Sequence, residues 1–409
     1  MIAYTKKTQD LCVNADGTLT HKYGTAYDSN AAYEARCNPS NSFIYDDESY
    51  GAIFTLSYDF SQNSNLKFGT NLRVDKHKGT TIQEKPKFDD LKELTSSIFV
   101  QYAQRISDFR FVFATSYDRL DGLDAYSYDS SKTNFKESND KTSIKGSVSL
   151  QGALYYDINE AQSLHFSVSK KQNMPTMSDR YGSIWGTYAQ NPNLKPESII
   201  GYEFGYNLTF NSTNLSAAVF YNDKNNMIKT VEVGANYCSN PLGQTGVVRA
   251  YCNKYINVDT GYNYGGEISF EQGFFADDML ILGADYSYIQ EKSTAVAGGN
   301  PGTRILSYPN HIFHAKTAFK PLKSLEFIGL VTLESPKYYY TSAQKRYYLD
   351  PNYFTFDLAA NYELGKGLSL NVGVTNLTDR DNYTKWASPL ESRQHFAGRR
   401  WFAGFAYKY

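Results

Sequence analysis

Two groups of residues combine cationic and aromatic side chains closely enough along the chain to hold a flat, anionic ligand. Guanidinium and ammonium groups bind anions through charge, and they also pack over aromatic rings. Both groups fall in stretches without a regular apolar pattern, where long loops are expected. The candidate ligand contacts are Arg180, Tyr181, Trp185 and Tyr188 in the first group, and Lys337, Tyr338, Tyr339, Tyr340, Arg346 and Tyr347 in the second.

The tyrosines of these groups also have a purely structural interpretation. Tyrosine is enriched where transmembrane strands meet the membrane surface, and the run 338–340 fits such a girdle as well as it fits a ligand site. Both interpretations stay open on the sequence alone.

Motifs for catalysis and metal binding are missing. The sequence contains no Gly-x-Ser-x-Gly elbow, no Gly-x-x-x-x-Gly-Lys phosphate loop and no His-Glu-x-x-His helix. The six histidines form no cluster with metal-ligand spacing, and His311 and His314 would face opposite sides of a strand. We therefore expect no enzyme activity, no metal site and no cofactor.

The four cysteines form two local couples, Cys12 with Cys37 and Cys238 with Cys252. Neither couple has the Cys-x-x-Cys spacing of zinc or redox sites. In an oxidising compartment each could close a disulfide that stabilises its loop by roughly 3 kcal/mol. The alternative is four free thiols in a reducing compartment.

The bulk composition excludes several classes of protein. The chain has 409 residues with 41 basic and 42 acidic side chains, so its net charge of -1 gives no sign of a nucleic-acid partner. The mean hydropathy is -0.52, and no run approaches the ~18 apolar residues of a membrane helix. Residues 1–10 lack the apolar core of a secretory signal. A transmembrane β-barrel remains compatible, because half of its strand residues face a polar lumen.

Strict alternation of apolar and polar residues is the main structural signal. In 201–210 the large apolar residues occupy even positions and the small or polar ones odd positions, which is typical of a strand with one apolar face. The same pattern predicts about fifteen strands: 49–60, 65–75, 95–106, 108–117, 142–156, 161–170, 197–210, 213–223, 260–273, 277–290, 309–320, 323–335, 352–363, 366–376 and 398–409.

The linkers between these segments alternate strictly between short and long. Ser61–Ser64 and Asn211–Ser212 are short, whereas Asp118–Lys141 and Lys224–Asp259 are long. Short turns on one side and long loops on the other are typical of an antiparallel, up-and-down transmembrane barrel. A soluble sandwich or propeller is the alternative, but it gives no reason for linkers to sort by length.

Two motifs carry a family resemblance. Residues 174–181 with 190–197 (Gln-Asn-Pro-Asn-Leu-Lys-Pro-Glu), and 373–379 with 398–401 near the C-terminus, resemble the corresponding segments of TonB-dependent outer-membrane receptors. The resemblance covers essentially 49–409. It implies an all-β barrel of which this chain is the C-terminal part of twenty-two strands, with the plug domain not visible. It also gives Tyr409 the role of a terminal aromatic mark for barrel insertion.

The resemblance implies a division of the chain. We interpret 1–48 as an extracellular loop region, with the end of a preceding strand as a further option, and 49–409 as the barrel portion. Bacterial single-chain barrels have even strand numbers, so fifteen strands predict an N-terminal truncation. The rival interpretation is a complete smaller barrel, with a strand at Met1–Thr5 or Ser42–Tyr45.

By this resemblance the function is uptake of a scarce nutrient across the Gram-negative outer membrane. The preferred ligand is a ferric siderophore of catecholate or hydroxamate type, with energy from the TonB–ExbB–ExbD complex through an N-terminal segment not visible here. Heme is disfavoured, because 171–190 contains no histidine, and cobalamin stays open. The other expected partner is outer-membrane lipid, with no nucleic acid, and we expect a monomer. The alternative is a passive channel or surface-binding barrel.

Overall fold

The structure, a computed structural model, describes residues 2–10, 43–81, 89–128, 135–137, 143–182, 188–234, 237, 251–293, 308–341, 346–349, 351–385 and 393–408. Nearly all of these residues lie in β-strands. The described part of the chain also contains one α-helix, α1 (Met177–Tyr181), and one turn of 3-10 helix (Ala276–Asp278). No helix in these stretches is long and apolar enough to cross a membrane.

The strands are numbered in chain order. They are β1 (Ile2–Asp10), β2 (Phe43–Ser61), β3 (Ser64–Thr81), β4 (Asp89–Ile106), β5 (Phe109–Tyr128), β6 (Phe135–Glu137), β7 (Ser143–Asn159), β8 (Gln162–Asn173), β9 (Tyr188–Ala189), β10 (Glu197–Phe210), β11 (Thr213–Gly234), β12 (Tyr251–Phe274), β13 (Leu280–Ser293), β14 (His311–Leu322), β15 (Leu325–Glu334), β16 (Tyr338–Thr341), β17 (Arg346–Leu349), β18 (Tyr353–Gly365), β19 (Leu368–Thr375), β20 (Tyr383–Lys385), β21 (Arg393–His395) and β22 (Arg400–Tyr407).

Most strands belong to one 18-stranded sheet. Apart from the short β6 and β9, each of its strands pairs antiparallel with the one before it and the one after it, from β1 through β5, β7, β8, β10 to β15, β18, β19 and β22. β16 with β17 and β20 with β21 form separate two-stranded hairpins. In the described residues the sheet is an open meander with β1 and β22 at its edges.

The structure confirms the fifteen predicted strands and the alternation of their linkers. Every short linker is a tight turn, and at four of them a residue takes the left-handed conformation: Ser107, Asn211, Phe275 and Lys366 have φ between 50° and 67°. At the opposite end many strands run farther than the alternation predicted. The segment 76–94, expected to be a long linker, is largely occupied by the ends of β3 and β4.

The N-terminal region begins with a strand. β1 (Ile2–Asp10) pairs with β2 along its whole length, and β2 begins at Phe43 rather than at residue 49. A strand here fits both options left open from the sequence, the end of a preceding strand and the extra strand of a complete smaller barrel. The alternation there is weak because 2–10 contains six polar residues in a row, so its pairing partner, not its own pattern, defines the strand.

The two faces of the sheet have different chemistry. On one face, apolar side chains form cross-strand rows such as Leu56, Phe68 and Val100, and these side chains are exposed. On β4 the apolar band runs from Ile98 to Ile106. A band of about ten residues is the length that crosses a bilayer in a tilted strand. The other face is the lumen side, and it is predominantly polar.

Aromatic rings on the lumen side cover glycines of the neighbouring strand. The ring of Phe99 on β4 occupies the place where a side chain at Gly69 on β3 would be, and Phe402 on β22 does the same over Gly373 on β19. Because glycine has no side chain, the ring can lie flat on the backbone there. The ring in turn supplies the apolar contact that the glycine cannot make.

Strand length varies around the sheet. β2 to β5 have 18 to 20 residues, and β11 and β12 have 22 and 24, whereas β19 and β22 have 8 each. Since about ten residues span a bilayer, the longer strands extend well beyond it at their long-loop ends. We call these two groups of long strands, β2 to β5 and β11 with β12, the raised walls. They flank the loop between β8 and β10.

Candidate functional site

Between β8 and β10 lies the segment 174–196, which we call the strap. Its described parts, 174–182 and 188–196, fold against the lumen side of the raised walls. Its first half contains α1, which begins at a capping box. Thr176 Oγ1 accepts a hydrogen bond from the Asp179 backbone N–H (3.1 Å), and the Asp179 carboxylate accepts one from the Thr176 N–H (2.9 Å). This local bonding fixes the direction of the short helix.

The first half of the strap is docked on β4 and β5. The Arg180 side chain is fully buried, and its guanidinium donates to the Glu93 carboxylate on β4. Beside this ion pair, Tyr181 packs in a small apolar cluster with Leu91 and Ala125. One buried ion pair and one small cluster therefore hold this half against strands that lie about ninety residues earlier in the chain.

The second half of the strap is docked on β12. The short strand β9 pairs in parallel with residues 253–254, and the ring of Tyr188 stacks on that of Tyr255 with centroids 5.2 Å apart. Burial is the main cause that raises the pKa of Tyr255 above its ordinary value. The Asn191 backbone N–H donates to the Arg180 carbonyl at 2.8 Å, which joins the two halves.

Asn257 on β12 fixes the end of the strap where it continues into β10. Asn257 Oδ1 accepts from the Lys195 N–H (2.8 Å), and Asn257 Nδ2 donates to the Lys195 carbonyl (2.9 Å). The same Nδ2 donates to the carbonyl of Asn226 (2.8 Å), a residue of β11 with a φ of 55°. The Glu197 carboxylate, at the start of β10, accepts from the Ile228 N–H (2.7 Å). The register of β10 is thus set by bonds to β11 and β12.

A cavity of about 680 Å³ lies between the first half of the strap and β2 to β5. Strands contribute Asp47, Glu48, Ser49, Arg73, Asp75, Lys76, His77, Glu93, Thr95, Asp118 and Leu120; the end of β8 and the strap contribute residues 172–178. Its size is within the ~300–1,000 Å³ typical of small-molecule sites.

Ion pairs and hydroxyl groups organise the charged wall of this cavity. Arg73 Nε lies 2.8 Å from Asp75, which also accepts from Ser49 Oγ at 2.7 Å. His77 Nδ1 lies 2.6 Å from Asp47. These short contacts hold the polar side chains of β2 and β3 in fixed positions.

Glu93 sits five residues beyond the apolar band of β4. Burial raises the pKa of its carboxyl above the ordinary value, and the neighbouring Arg180 guanidinium partly opposes this rise. The loss of water around the carboxylate therefore outweighs the attraction of its partner.

A second long-loop segment, which we call the C-terminal turn (376–382), is fixed by local bonds. Asn376 follows β19 with φ of 51° and is 2% exposed. Its side-chain amide donates to the Arg380 carbonyl (2.9 Å) and accepts from the Arg380 N–H (3.1 Å). Asn382 pairs with both backbone groups of Phe354 on β18. Asn376 belongs to the second sequence motif, and its side chain replaces backbone partners where β19 ends.

A family model described as "TonB dependent receptor-like, beta-barrel" matches residues 3–377. The chain belongs to this family. TonB-dependent receptor barrels lie in the outer membrane of Gram-negative bacteria, and so does this chain. The family consists of receptors and transporters rather than enzymes.

Known relatives agree with this placement. The probable TonB-dependent siderophore receptor PiuA of Acinetobacter baumannii is 22% identical over 318 residues, which are 74% of this chain and 39% of that protein. The copper transporter OprC has a TM-score of 0.69 at 12% identity, covering 89% of this chain and 57% of that one. The siderophore receptor PirA from Acinetobacter baumannii has a TM-score of 0.67 at 16% identity, covering 99% and 59%. The chain spans less than two thirds of each relative.

The predicted ligand contacts of this receptor barrel differ in burial and in their partners. Arg180 and Tyr181 are buried against β4 and β5, and Tyr188 is half-buried on Tyr255. Lys337 is half-buried and lies 2.7 Å from Glu334. Trp185 lies outside the described residues. For Tyr338, Tyr339, Tyr340, Arg346 and Tyr347 the structure gives only the backbone, which forms the β16–β17 hairpin. Their role in ligand contact stays a prediction.

The remaining predictions concern the cysteines, the C-terminal Tyr409 and the histidines. Cys252 is disulfide-bonded. Its pairing with Cys238 stays a prediction because Cys238, like Cys12, Cys37 and Tyr409, lies outside the described residues. His311 contacts Tyr286 and His314 contacts Thr332, on opposite faces of β14. The described part of the chain contains no group of three metal-ligating side chains.

Three residues of the site were missed by the sequence analysis: Glu93, Asp118 and Asn257. Glu93 and Asn257 fell in stretches interpreted as long linkers, and Asp118 directly follows a predicted strand. A continuation of the period-two pattern past the apolar band would have placed Glu93 and Asp118 on the lumen face. Nothing in the sequence marks Asn257, since its role depends on strands that meet only in the folded sheet.

Proposed function

We propose that this chain provides the barrel of a receptor that takes up a ferric siderophore, with energy delivered by the TonB–ExbB–ExbD complex. The observation that carries the proposal is the strap, which together with the extended strands β2 to β5 forms a cavity of ligand size on the lumen side at the long-loop end. Two relatives named as siderophore receptors support the choice of ligand class.

The strap also gives the proposal a physical basis. A receptor needs preformed contacts, because ordering a loop on binding lowers the affinity. The strap is already docked on both raised walls through the Arg180–Glu93 pair and the bonds of Asn257. Its capping box, apolar cluster and stacked tyrosines add to this fixed position.

The test is uptake of radioactive iron by the source bacterium under iron limitation. Deleting the gene should abolish uptake from at least one class of ferric chelate, and restoring the gene should return it. Deleting TonB, or dissipating the proton-motive force, should cause the same loss.

Two results would contradict this proposal. Uptake that is unchanged in the deletion strain for every chelate would remove the ferric siderophore as ligand. Uptake that depends on the gene but not on TonB would instead identify a passive channel, the alternative function stated from the sequence.

A further inference from the structure

The cavity under the strap combines an apolar floor with a charged wall. Met174, Pro175 and Met177 of the strap and Leu120 of β5 supply the apolar surface. Ser49 and Thr95 add hydroxyl groups. Such a mixture binds a ligand through apolar contact and selects it through a few polar groups.

The charged groups of the lining are mostly acidic. Five carboxylates face two permanent cations, Arg73 and Lys76. Arg73 lies 2.8 Å from Asp75, and Lys76 lies 3.6 Å from Glu48. Both cations are thus engaged by carboxylates of the same wall.

Arg180 adds no positive charge to the cavity surface. It is the residue that the sequence suggested for binding an anionic ligand, but its guanidinium is buried on Glu93. The ion pair neutralises both groups, and it is buried where the strap contacts β4.

Asp118 has no cation as partner among the described residues. Its contact there is Ser116 Oγ, which donates at 2.9 Å. Asp47 faces His77, a group that balances its charge only when the imidazole is protonated. The cavity therefore carries an excess of negative charge around Asp118, whereas Asp47 lies opposite Lys7 of β1 in the cross-strand register.

We propose that this cavity selects a chelate with a positively charged group on its surface, such as a ferric trihydroxamate that carries a free primary amine. The inference rests on the proposed function and names its substrate class. A protonated amine near Asp118 completes an ion pair, whereas a ferric tris-catecholate is a trianion and meets like charges at a half-buried wall.

The experiment measures the affinity of the purified protein in detergent micelles for three iron chelates. The first is a ferric trihydroxamate with a free amine, the second is the same molecule with its amine acetylated, and the third is a ferric tris-catecholate. Acetylation removes the positive charge of the first chelate and adds only a small acetyl group. We expect the amine form to bind about fivefold more tightly than the acetylated form, as for a partly exposed ion pair, and the tris-catecholate to bind most weakly.

Asp118→Asn should remove the difference between the amine and acetylated forms. Asp285→Asn is the matched control. Asp285 also faces the lumen and also accepts a hydrogen bond from a serine, Ser269, but it lies on β13 away from the cavity. This variant should keep the full preference for the amine form. Added salt should reduce that preference in the unmodified protein.

The outcomes separate this inference from the function on which it rests. Equal affinity for the amine and acetylated forms, or tightest binding of the tris-catecholate, overturns the charge preference and leaves a siderophore receptor. An equal effect of Asp118→Asn and Asp285→Asn overturns the assignment to this cavity. Failure of all three chelates to bind would overturn the proposed function together with this inference.

Discussion

The strap (174–196) and the C-terminal turn (376–382) both follow a barrel strand at the long-loop end, but their anchors lie at different distances along the chain. The C-terminal turn is held by Asn376 and Asn382, whose partners are a few residues away or on the adjacent hairpin. The strap is held by Glu93 and Asn257, which come from distant strands. A short-range turn forms together with its hairpin, whereas the strap can dock only after β4 and β12 have both been placed.

The largest expected effect comes from removing the distant anchor of the first half. Arg180→Ala leaves the Glu93 carboxylate buried without its partner, and such a loss weakens a structure by about 3–5 kcal/mol. Native-state cleavage by chymotrypsin after Tyr181 should accelerate strongly. The double variant Glu93→Leu with Arg180→Met should recover most of the resistance, because an apolar pair needs no counter-charge. If the double variant is cleaved as fast as Arg180→Ala, the ion pair is not the anchor.

A smaller effect is expected at the C-terminal turn. Asn376→Ala loses both bonds to Arg380 and places alanine at a φ of 51°, which together should weaken the turn by about 2–3 kcal/mol. Trypsin cleavage after Arg380 under native conditions measures this change. The cleavage rate of Asn376→Gly should lie between those of the unmodified protein and Asn376→Ala. Glycine tolerates the positive φ but lacks the side-chain amide. Protection at Tyr181 should stay unchanged, as the two segments have separate anchors.

Asn257→Ala tests the second half of the strap. It removes three hydrogen bonds that involve partly exposed groups, so we expect a loss of about 1–2 kcal/mol, confined to residues 188–197. Amide hydrogen exchange of the Lys195 N–H is the direct measurement. Asn253→Ala on the same strand is a suitable comparison. Equal exchange rates in the two variants would contradict the role given to Asn257.

The smallest effect is a pH dependence of strap docking. Burial raises the pKa of Glu93, so the folded state takes up a proton more readily than the unfolded state. Stability from this group is fully present below its ordinary pKa of 4.5 and is lost as pH rises through the raised value. Docking should therefore strengthen slightly from pH 7 toward 5, and Glu93→Gln should flatten the change. Weaker docking on acidification would mean that the attraction of Arg180 outweighs burial.

The same contrast explains what the sequence could predict. The strands follow from a period of two and from linker length, both of which are local features. The C-terminal turn is equally local, because asparagine near a strand end predicts a side-chain substitute for backbone bonds. The strands were predicted correctly from 49 onward, apart from their outer ends.

The candidate site was harder to predict because its contacts are distant in sequence. Arg180 was expected to face a ligand, since a cation next to tyrosines in a loop suits an anion. Its partner Glu93 lies beyond the apolar band, where lipid no longer constrains the pattern. Only the folded sheet brings these two residues together, and only then does the acidic character of the cavity beside them become visible.

The central claim is that the strap is docked at two independent places. Hydrogen exchange of 174–182 and 188–197 tests it most directly when the unmodified protein is compared with Arg180→Ala. We predict protection of both halves in the unmodified protein. In the variant we predict an acceleration of about a hundredfold over 174–182, the factor that corresponds to about 3 kcal/mol. In the second half it should extend only to the Asn191 N–H, which donates to the Arg180 carbonyl. Fast exchange of both halves in the unmodified protein, or unchanged protection of 174–182 in the variant, would contradict the account.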